Sequence, residues 1–235
     1  MAVAKADIHY AVMPYTEENF NEFYEFFVEQ MLSMDELGET IAAALNVDPR
    51  VIPEADAFWK KYIKDVLPAN LTYVARDRAA SNRLVGVRLS THLELETYAK
   101  EMKEMQALEF QDPKMRDQLR VFRVCLQPVE ENVQRLRERN VEKVLQLAAL
   151  CVHRDYRKHG IATNMNRKTV EDAKASGCQV ALVFATANGS QRCFEKLGFE
   201  PYFVQDYADM LDENGKPFVF PLNGTKSLKA YSKTL

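Results

Sequence analysis

One stretch constrains this chain more than any other: Leu150-Cys151-Val152-His153-Arg154-Asp155-Tyr156-Arg157-Lys158-His159-Gly160-Ile161-Ala162. An apolar run enters it, a short basic turn follows, and a helical pattern leaves it after a glycine. That order predicts a strand feeding a helix N-terminus. The first N–H groups of a helix lack partners and the helix dipole is positive there, so the turn favours an anion. Arg157 and Lys158 add formal positive charge. Gly160 leaves the backbone uncovered, so a ligand can come close.

The rest of the chain alternates strand and helix signals around this point. Ile8 to Met13 reads as a first strand, ended at Pro14. Thr16 opens a helical stretch carrying Phe20, Phe23, Tyr24, Phe27, Met31 and Met34 at helical spacing, an amphipathic core helix with some side chains free to wall a pocket. Glu36–Ala44 and Glu54–Val66 read as further helices. Leu71–Arg76 and Leu84–Leu93 read as strands around the polar loop Arg78–Asn82, with Gly86 marking a bulge or close packing. Glu94–Gln111 is helical or irregular. Met115–Arg139 is a long helical pattern that Pro128 kinks or divides. Val141–Val152 is the central strand into the basic turn. The helix after the turn has Ile161, Ala162, Met165, Val170 and Ala173 as a rough inner stripe and closes at Gly177; Gln179–Phe184 is a buried strand, and Ser227–Tyr231 a last one. No repeat or linker interrupts the pattern, so one α/β domain over residues 1–235 is the economical reading.

Composition narrows the partners. The chain has 235 residues, 47% of them apolar, enough for a sizeable core. With 31 basic and 34 acidic residues the net charge is −3, which gives no reason to expect nucleic acid but allows a local basic pocket. Cys125, Cys151, Cys178 and Cys193 form no Cys-x-x-Cys pair and the histidines are scattered, so no metal site is expected and reduced thiols are. No secretory pattern and no membrane-length apolar run occur, which makes a cytoplasmic location the expectation.

Two ordered signatures carry a family resemblance. Arg157, Gly160 and Ala162 fit the acyl-CoA signature Arg/Gln-x-x-Gly-x-Gly/Ala, and Ser190-Gln191-Arg192-Cys193-Phe194-Glu195-Lys196-Leu197-Gly198-Phe199 resembles the closing helix and Lys-Leu-Gly-Phe ending of the GNAT acetyltransferase superfamily. The Phe-Phe-rich first helix, Val204-Gln205-Asp206-Tyr207-Ala208-Asp209 and the segment Lys216–Pro221 look like insect arylalkylamine N-acetyltransferases. The resemblance implies a single GNAT-type α/β domain, a central mixed, mostly antiparallel twisted sheet flanked by helices. It also implies acetyl-CoA as cosubstrate, held by Leu150, Cys151, Val152, Arg157, Lys158, His159, Gly160, Ile161 and Ala162.

The catalytic positions transfer unevenly. Many superfamily members place a tyrosine, as acid for the thiolate, where this chain has Phe194. The arylalkylamine branch uses serines after the preceding strand; the matching positions are Thr186 and Ser190, whose hydroxyls serve equally to end a strand and cap a helix. The family's glutamate base falls on Gln30, with Glu29 one residue earlier and about 100° away on an ideal helix. Glu29 is either part of a water chain or an ordinary surface carboxylate. The resemblance therefore implies direct acetyl transfer to a small primary amine, an arylalkylamine first. A polyamine, amino acid or protein amine is the second acceptor class, and an acyl-CoA-binding regulator with little turnover is the reading from a different class. The oligomeric state has no signal in the sequence.

Overall fold

The computed structural model describes residues 6–32, 47–212, 214–219 and 224–235. The expected helix Glu36–Ala44 and Met34 lie outside the described residues. β1 (Ile8–Val12), α1 (Glu17–Phe27), α2 (Pro53–Val66), β2 (Tyr73–Asp77), β3 (Arg83–Glu94), α3 (Leu95–Gln106), α4 (Pro113–Leu126) and α5 (Val129–Glu138) precede the site. β4 (Lys143–Val152), α6 (Ile161–Ala175), β5 (Val180–Ala185), α7 (Asn188–Lys196), β6 (Glu200–Asp206) and β7 (Ser227–Thr234) build and follow it.

The strands form one seven-stranded sheet in the order β1-β2-β3-β4-β5-β7-β6. Every neighbouring pair is antiparallel except β4 and β5, which are parallel and joined through α6. This is the α/β architecture that the resemblance implied. A parallel pair needs such a crossover, and the helix covers the sheet face it crosses.

Local chemistry explains the boundaries. Thr16 caps α1 by accepting from the Asn19 N–H at 3.1 Å. Asp112 caps α4 through the N–H groups of Lys114 and Met115. Pro128 stands between α4 and α5, as its missing N–H demands. The ambiguous stretch after Glu94 is a regular helix because Leu95, Tyr98 and Met102 share one buried face. After α1 the chain widens into a π turn, Val28–Leu32.

The two sheet faces carry different cores. Phe20, Phe23, Phe27, Trp59 and Ile63 of α1 and α2 pack with Val87, Leu89, Ala149 and Cys151. On the other face Ile161 and Met165 of α6 pack with Tyr73, Ala75 and Val85. Gly86 lies at a register shift between β2 and β3. A Cβ there would sit 3.0 Å from Met165 Cε and 3.2 Å from Ile161 Cγ2. Gly86→Val therefore pushes α6 off the sheet, and overpacking of this kind costs about 1–3 kcal/mol. Urea unfolding should show that loss; an unchanged midpoint would mean that α6 does not depend on the close approach.

Candidate active site

The site begins where β4 and β5 part. Their pairing runs only from Val144 opposite Val180 to Leu147 opposite Val183. β3 stays paired with β4 to its end, but with a register shift at Leu89/Ser90 that leaves Ala148 as an extra residue. The bulge reverses the alternation of β4 and turns it from its parallel neighbour. Leu145 and Leu147 pack with Ala173 of α6, whereas Ala149 and Cys151 face α1. β5 is held on its other side by β7. Gln191 fixes that side further, its amide donating to Ala185 O at 3.2 Å and Ser227 O at 2.6 Å.

The gap between the strands is a cleft of about 510 Å³. Its walls include Leu150, Cys151 and Val152 of β4, Tyr156–Lys158 and Gly160–Thr163 of the turn and α6, Thr186 and Ala187 after β5, and Gly189, Ser190, Arg192, Cys193 and Lys196 of α7. Gln30 and Met31 close one end from the π turn. The described walls thus carry Arg157, Lys158, Arg192 and Lys196 and no carboxylate.

The turn is braced from below. The His153 N–H bonds to Val85 O at 2.9 Å, and Tyr156 donates to Asp77 at 2.9 Å. Burial, and then the Arg83 guanidinium, push the His153 imidazole below its ordinary value. The ring is held at both nitrogens, Nε2 lying 2.8 Å from an Arg83 guanidinium nitrogen and Nδ1 accepting from the Asp155 N–H at 3.3 Å. Lys158 and Gly160 both adopt left-handed backbone, φ +67° and +77°. Alternating left-handed residues turn successive N–H groups into one concavity, the geometry of an anion nest. A Cβ at Gly160 would meet nothing within 4 Å, so glycine serves the φ value and the open space in front of the helix rather than packing.

The structure sorts the residues expected from the sequence. Leu150, Cys151, Val152, Arg157, Lys158, Gly160, Ile161 and Ala162 all reach the cleft. His159 does not; it is exposed between the two left-handed residues, which aim it away. Arg157 lines the cleft half-buried while its Nε donates to Val152 O at 3.2 Å, so part of its charge closes the turn on its own strand. Thr186 lies just past β5, and its carbonyl accepts from the Tyr207 hydroxyl at 2.8 Å. Ser190 is not the helix cap: Ala187 holds that position, and the Ser190 hydroxyl donates back to Ala187 O at 2.8 Å. Phe194 is in the core, 5.1 Å from Phe199 between ring centroids.

The first helix gives the sharpest separation. Gln30 is buried on the cleft wall, and its Nε2 has no hydrogen-bond partner among the described residues. Glu29 is exposed and off the wall, with Arg50 and His153 as charge neighbours. The π turn makes the helix end irregular, as a Glu29 base would need, but it leaves Glu29 pointing out.

Arg192 and Lys196 were not among the expected cofactor residues. The signal was present in the spacing: Gly189, Arg192, Cys193 and Lys196 fall on one helical face. A second groove, about 390 Å³ between α3 and α5, is lined by Glu96, Lys100, Lys103, Glu130 and Arg137, charges of both signs on a solvated surface. Among the described residues no group of His, Cys, Asp and Glu side chains assembles to hold a metal ion, and no helix is long and apolar enough to cross a membrane.

The site is thus a parallel strand pair splayed open above a helix N-terminus, with a cationic rim. Residues 124–199 match the Acetyltransferase (GNAT) family. The fold is that of the N-acetyltransferases: arylalkylamine N-acetyltransferase 2 from Aedes aegypti superposes with a TM-score of 0.78 at 22% identity, over 97% of this chain and 99% of that one. Drosophila melanogaster polyamine N-acetyltransferase, which forms N-acetylagmatine, gives 0.73 at 18% identity over 97% and 100%. Arabidopsis thaliana NAA60 in complex with acetyl-CoA gives 0.54 at 11% identity over 97% and 99%. No curated protein matches the sequence significantly.

Because Gln30 Nε2 is buried without a partner, it contributes desolvation cost and no bond. Gln30→Met should leave unfolding stability within about 1 kcal/mol of the parent or raise it. A loss beyond that in chemical denaturation would reveal a structural bond for the amide.

Proposed function

We propose that this chain transfers the acetyl group of acetyl-CoA to a small primary arylalkylamine, directly, within a ternary complex. The observation that carries this reading is the cleft itself: an open β4 edge, a left-handed turn at a helix N-terminus, four cations and no described carboxylate. The pyrophosphate fits the N–H groups of residues 158–162, with Lys158, Arg192 and Lys196 supplying charge. The pantetheine arm has the unpaired edge of β4 beyond Leu147 as a strand-like partner.

The acceptor enters at the Gln30 and Met31 end. Met31 packs against the core cluster built from Phe20, Phe23, Phe27 and Trp59, so the entrance is backed by an aromatic-rich core. An extended polycation would want carboxylates at its far end, and the described walls offer none. This favours an aryl tail over agmatine or spermidine.

For acetyl transfer the amine must lose a proton, the carbonyl oxygen must be stabilised, and the thiolate must be neutralised. Gln30 cannot act as a base, and Glu29 lies off the wall. Base assistance therefore falls to water, with Gln30 able to orient it. On the leaving side Thr186 and Ser190 offer hydroxyls, although the Ser190 proton is already directed at Ala187 O. Holding the two substrates together supplies the remaining advantage through lost entropy. The same facts support a second reading, an acyl-CoA-binding regulator with slow turnover, because Gln30 and the core position of Phe194 remove both ordinary proton carriers.

Gly160→Asp places a carboxylate where the pyrophosphate sits and should weaken acetyl-CoA by about tenfold or more in calorimetry, each factor of ten being about 1.4 kcal/mol. Unchanged affinity in a folded variant would remove the loop from the binding site. Against a panel of amines, tyramine, dopamine and tryptamine should exceed spermidine and agmatine in kcat/KM. The reverse order would make the chain a polyamine enzyme, and acetyl-CoA binding with no product would favour the regulator.

The proton route has its own signature. A free alkyl amine has a pKa near about 10.4, so its reactive fraction grows about tenfold per pH unit below that value. Without a carboxylate base kcat/KM should follow that slope from neutrality upward. Gln30→Glu should flatten it and raise the rate at pH 7 by about tenfold or more, toward the about 10²–10⁴ that a positioned base supplies. A flat profile in the parent chain would place a base that this reading lacks.

A further inference from the structure

Two cysteines line the cleft, and their surroundings differ. Cys151 sits in the apolar cluster with Val87 and Ala149, and burial pushes its thiol far up. Cys193, one helical turn beyond Ser190 on α7, sits among polar groups. Asn166 Nδ2 donates to its sulfur at 3.3 Å, and the Thr163 hydroxyl lies 3.5 Å away.

A costly buried group lies close to this part of α7. Arg88, in the middle of β3, is 1% exposed, and its Nε and Nη2 have no partner among the described residues. Its guanidinium carbon stands 5.8 Å from the ring centroid of Phe194, the residue next to Cys193; burial pushes the guanidinium down to about 9, and Cys193 and Tyr62 act in the other direction. Asn166, wholly buried, also leaves Oδ1 without a partner. A buried guanidinium without a counter-charge is destabilising by several kcal/mol, so an isolated one calls for an anion nearby. Cys193 and Tyr62 are the ionisable groups that act on it, and of the two Cys193 lines the cleft. Cys193 also opens on the cleft, so an anion on it meets whatever occupies that space.

We propose that Cys193 is an acyl-accepting nucleophile, and that the chain becomes S-acetylated there by acetyl-CoA. The inference rests on the reading of the cleft as an acetyl-CoA site. Cys193 gives up its proton, and Sγ attacks the acetyl carbonyl. The carbon–Sγ bond forms, the carbon–sulfur bond to CoA breaks, and the CoA thiolate takes up a proton and leaves as the thiol. One thioester replaces another, so nothing is oxidised and the exchange is nearly balanced in energy. Occupancy then follows the ratio of acetyl-CoA to CoA. Arg88 steadies the charge on sulfur, and the Asn166 amide orients it. The cleft wall that surrounds Cys193 keeps water from the product thioester. Arg88 and Asn166 are positioning residues in this step; they do not touch the acyl group.

The test is intact-protein mass spectrometry after incubation with acetyl-CoA, with peptide mapping and neutral hydroxylamine to separate thioester from amide. The expected result is one hydroxylamine-labile acetyl group on Cys193, reversed by excess CoA, retained in Cys151→Ala and lost in Cys193→Ala. Arg88→Lys, which keeps the charge, should acetylate faster than Arg88→Met by about tenfold or more. If Arg88→Met does not fold, Asn166→Leu gives the second comparison and should slow acetylation likewise. Bound acetyl-CoA in calorimetry with no adduct on Cys193, or with the adduct on Cys151, would overturn this proposal and leave the cofactor reading standing. If acetyl-CoA does not bind, the cofactor reading falls. The acetyl thioester of N-acetylcysteamine, which needs no CoA recognition, then decides Cys193 alone: labelling supports the nucleophile and its absence overturns it.

Discussion

The parting of β4 from β5 after Leu147 is the constraint on which the site depends. Two parallel strands that stayed paired would satisfy each other and leave no cleft. Here the bulge at Ala148 turns β4 away while β3 still pairs with it, and β7 with Gln191 holds β5 on the far side. The free edge is therefore fixed from both flanks. Because the bulge reverses the alternation, Leu147 and Ala149 point to opposite cores rather than the same one. That reversal sends Leu150 and Val152 toward α6, so the end of the strand, the turn and the helix share one packed unit. A ligand meets a rigid groove, which lowers the ordering cost of binding.

How far the sequence disclosed this depended on whether the signal was local. The turn was legible because strand, basic residues, glycine and helix are consecutive, and each has its own reason to be there. Pro128 was legible for the same reason: its ring divides a helix whatever surrounds it. The bulge at Ala148 was not, since it exists only relative to β3, which lies far off in sequence. Ser190 looked like a cap because serine after a strand usually is one. The cap fell instead on Ala187, and the hydroxyl turned back to that residue's carbonyl. The outward side chain of His159 was not legible, because direction in a turn follows φ, while its N–H stays part of the turn. Arg192 and Lys196 were readable on a helical face.

Charge is partitioned rather than balanced locally. The chain is net negative, yet the described walls of the cleft are purely cationic. The carboxylates near it are used for construction: Asp77 receives Tyr156 and the Asp7 and Ala79 N–H groups, and Asp172 on α6 receives Tyr73 at 2.5 Å. Each of these ties the turn or α6 to β2, and none opens on the cleft. Anion capture and scaffold bracing thus draw on the same sheet from opposite charges.

The position of Gln30 gives the site its character. A glutamate in the same buried place would face desolvation with no cation beside it among the described residues, and its pKa would rise toward neutrality, which suits a base. Glutamine keeps the shape, removes the proton acceptor and leaves a partnerless donor at the acceptor end. The π turn that presents it also turns Glu29 outward toward Arg50 and His153, so the neighbouring carboxylate does not replace what was lost. A cleft that binds acyl donor tightly but takes protons slowly lets the donor dwell. Dwelling donor beside a thiol backed by a buried guanidinium is the condition under which thioester exchange at Cys193 competes with transfer to an amine. On the proposed reading, the weak proton route and the polar setting of Cys193 are two consequences of one arrangement of α1, β3 and α7 around the opened strands.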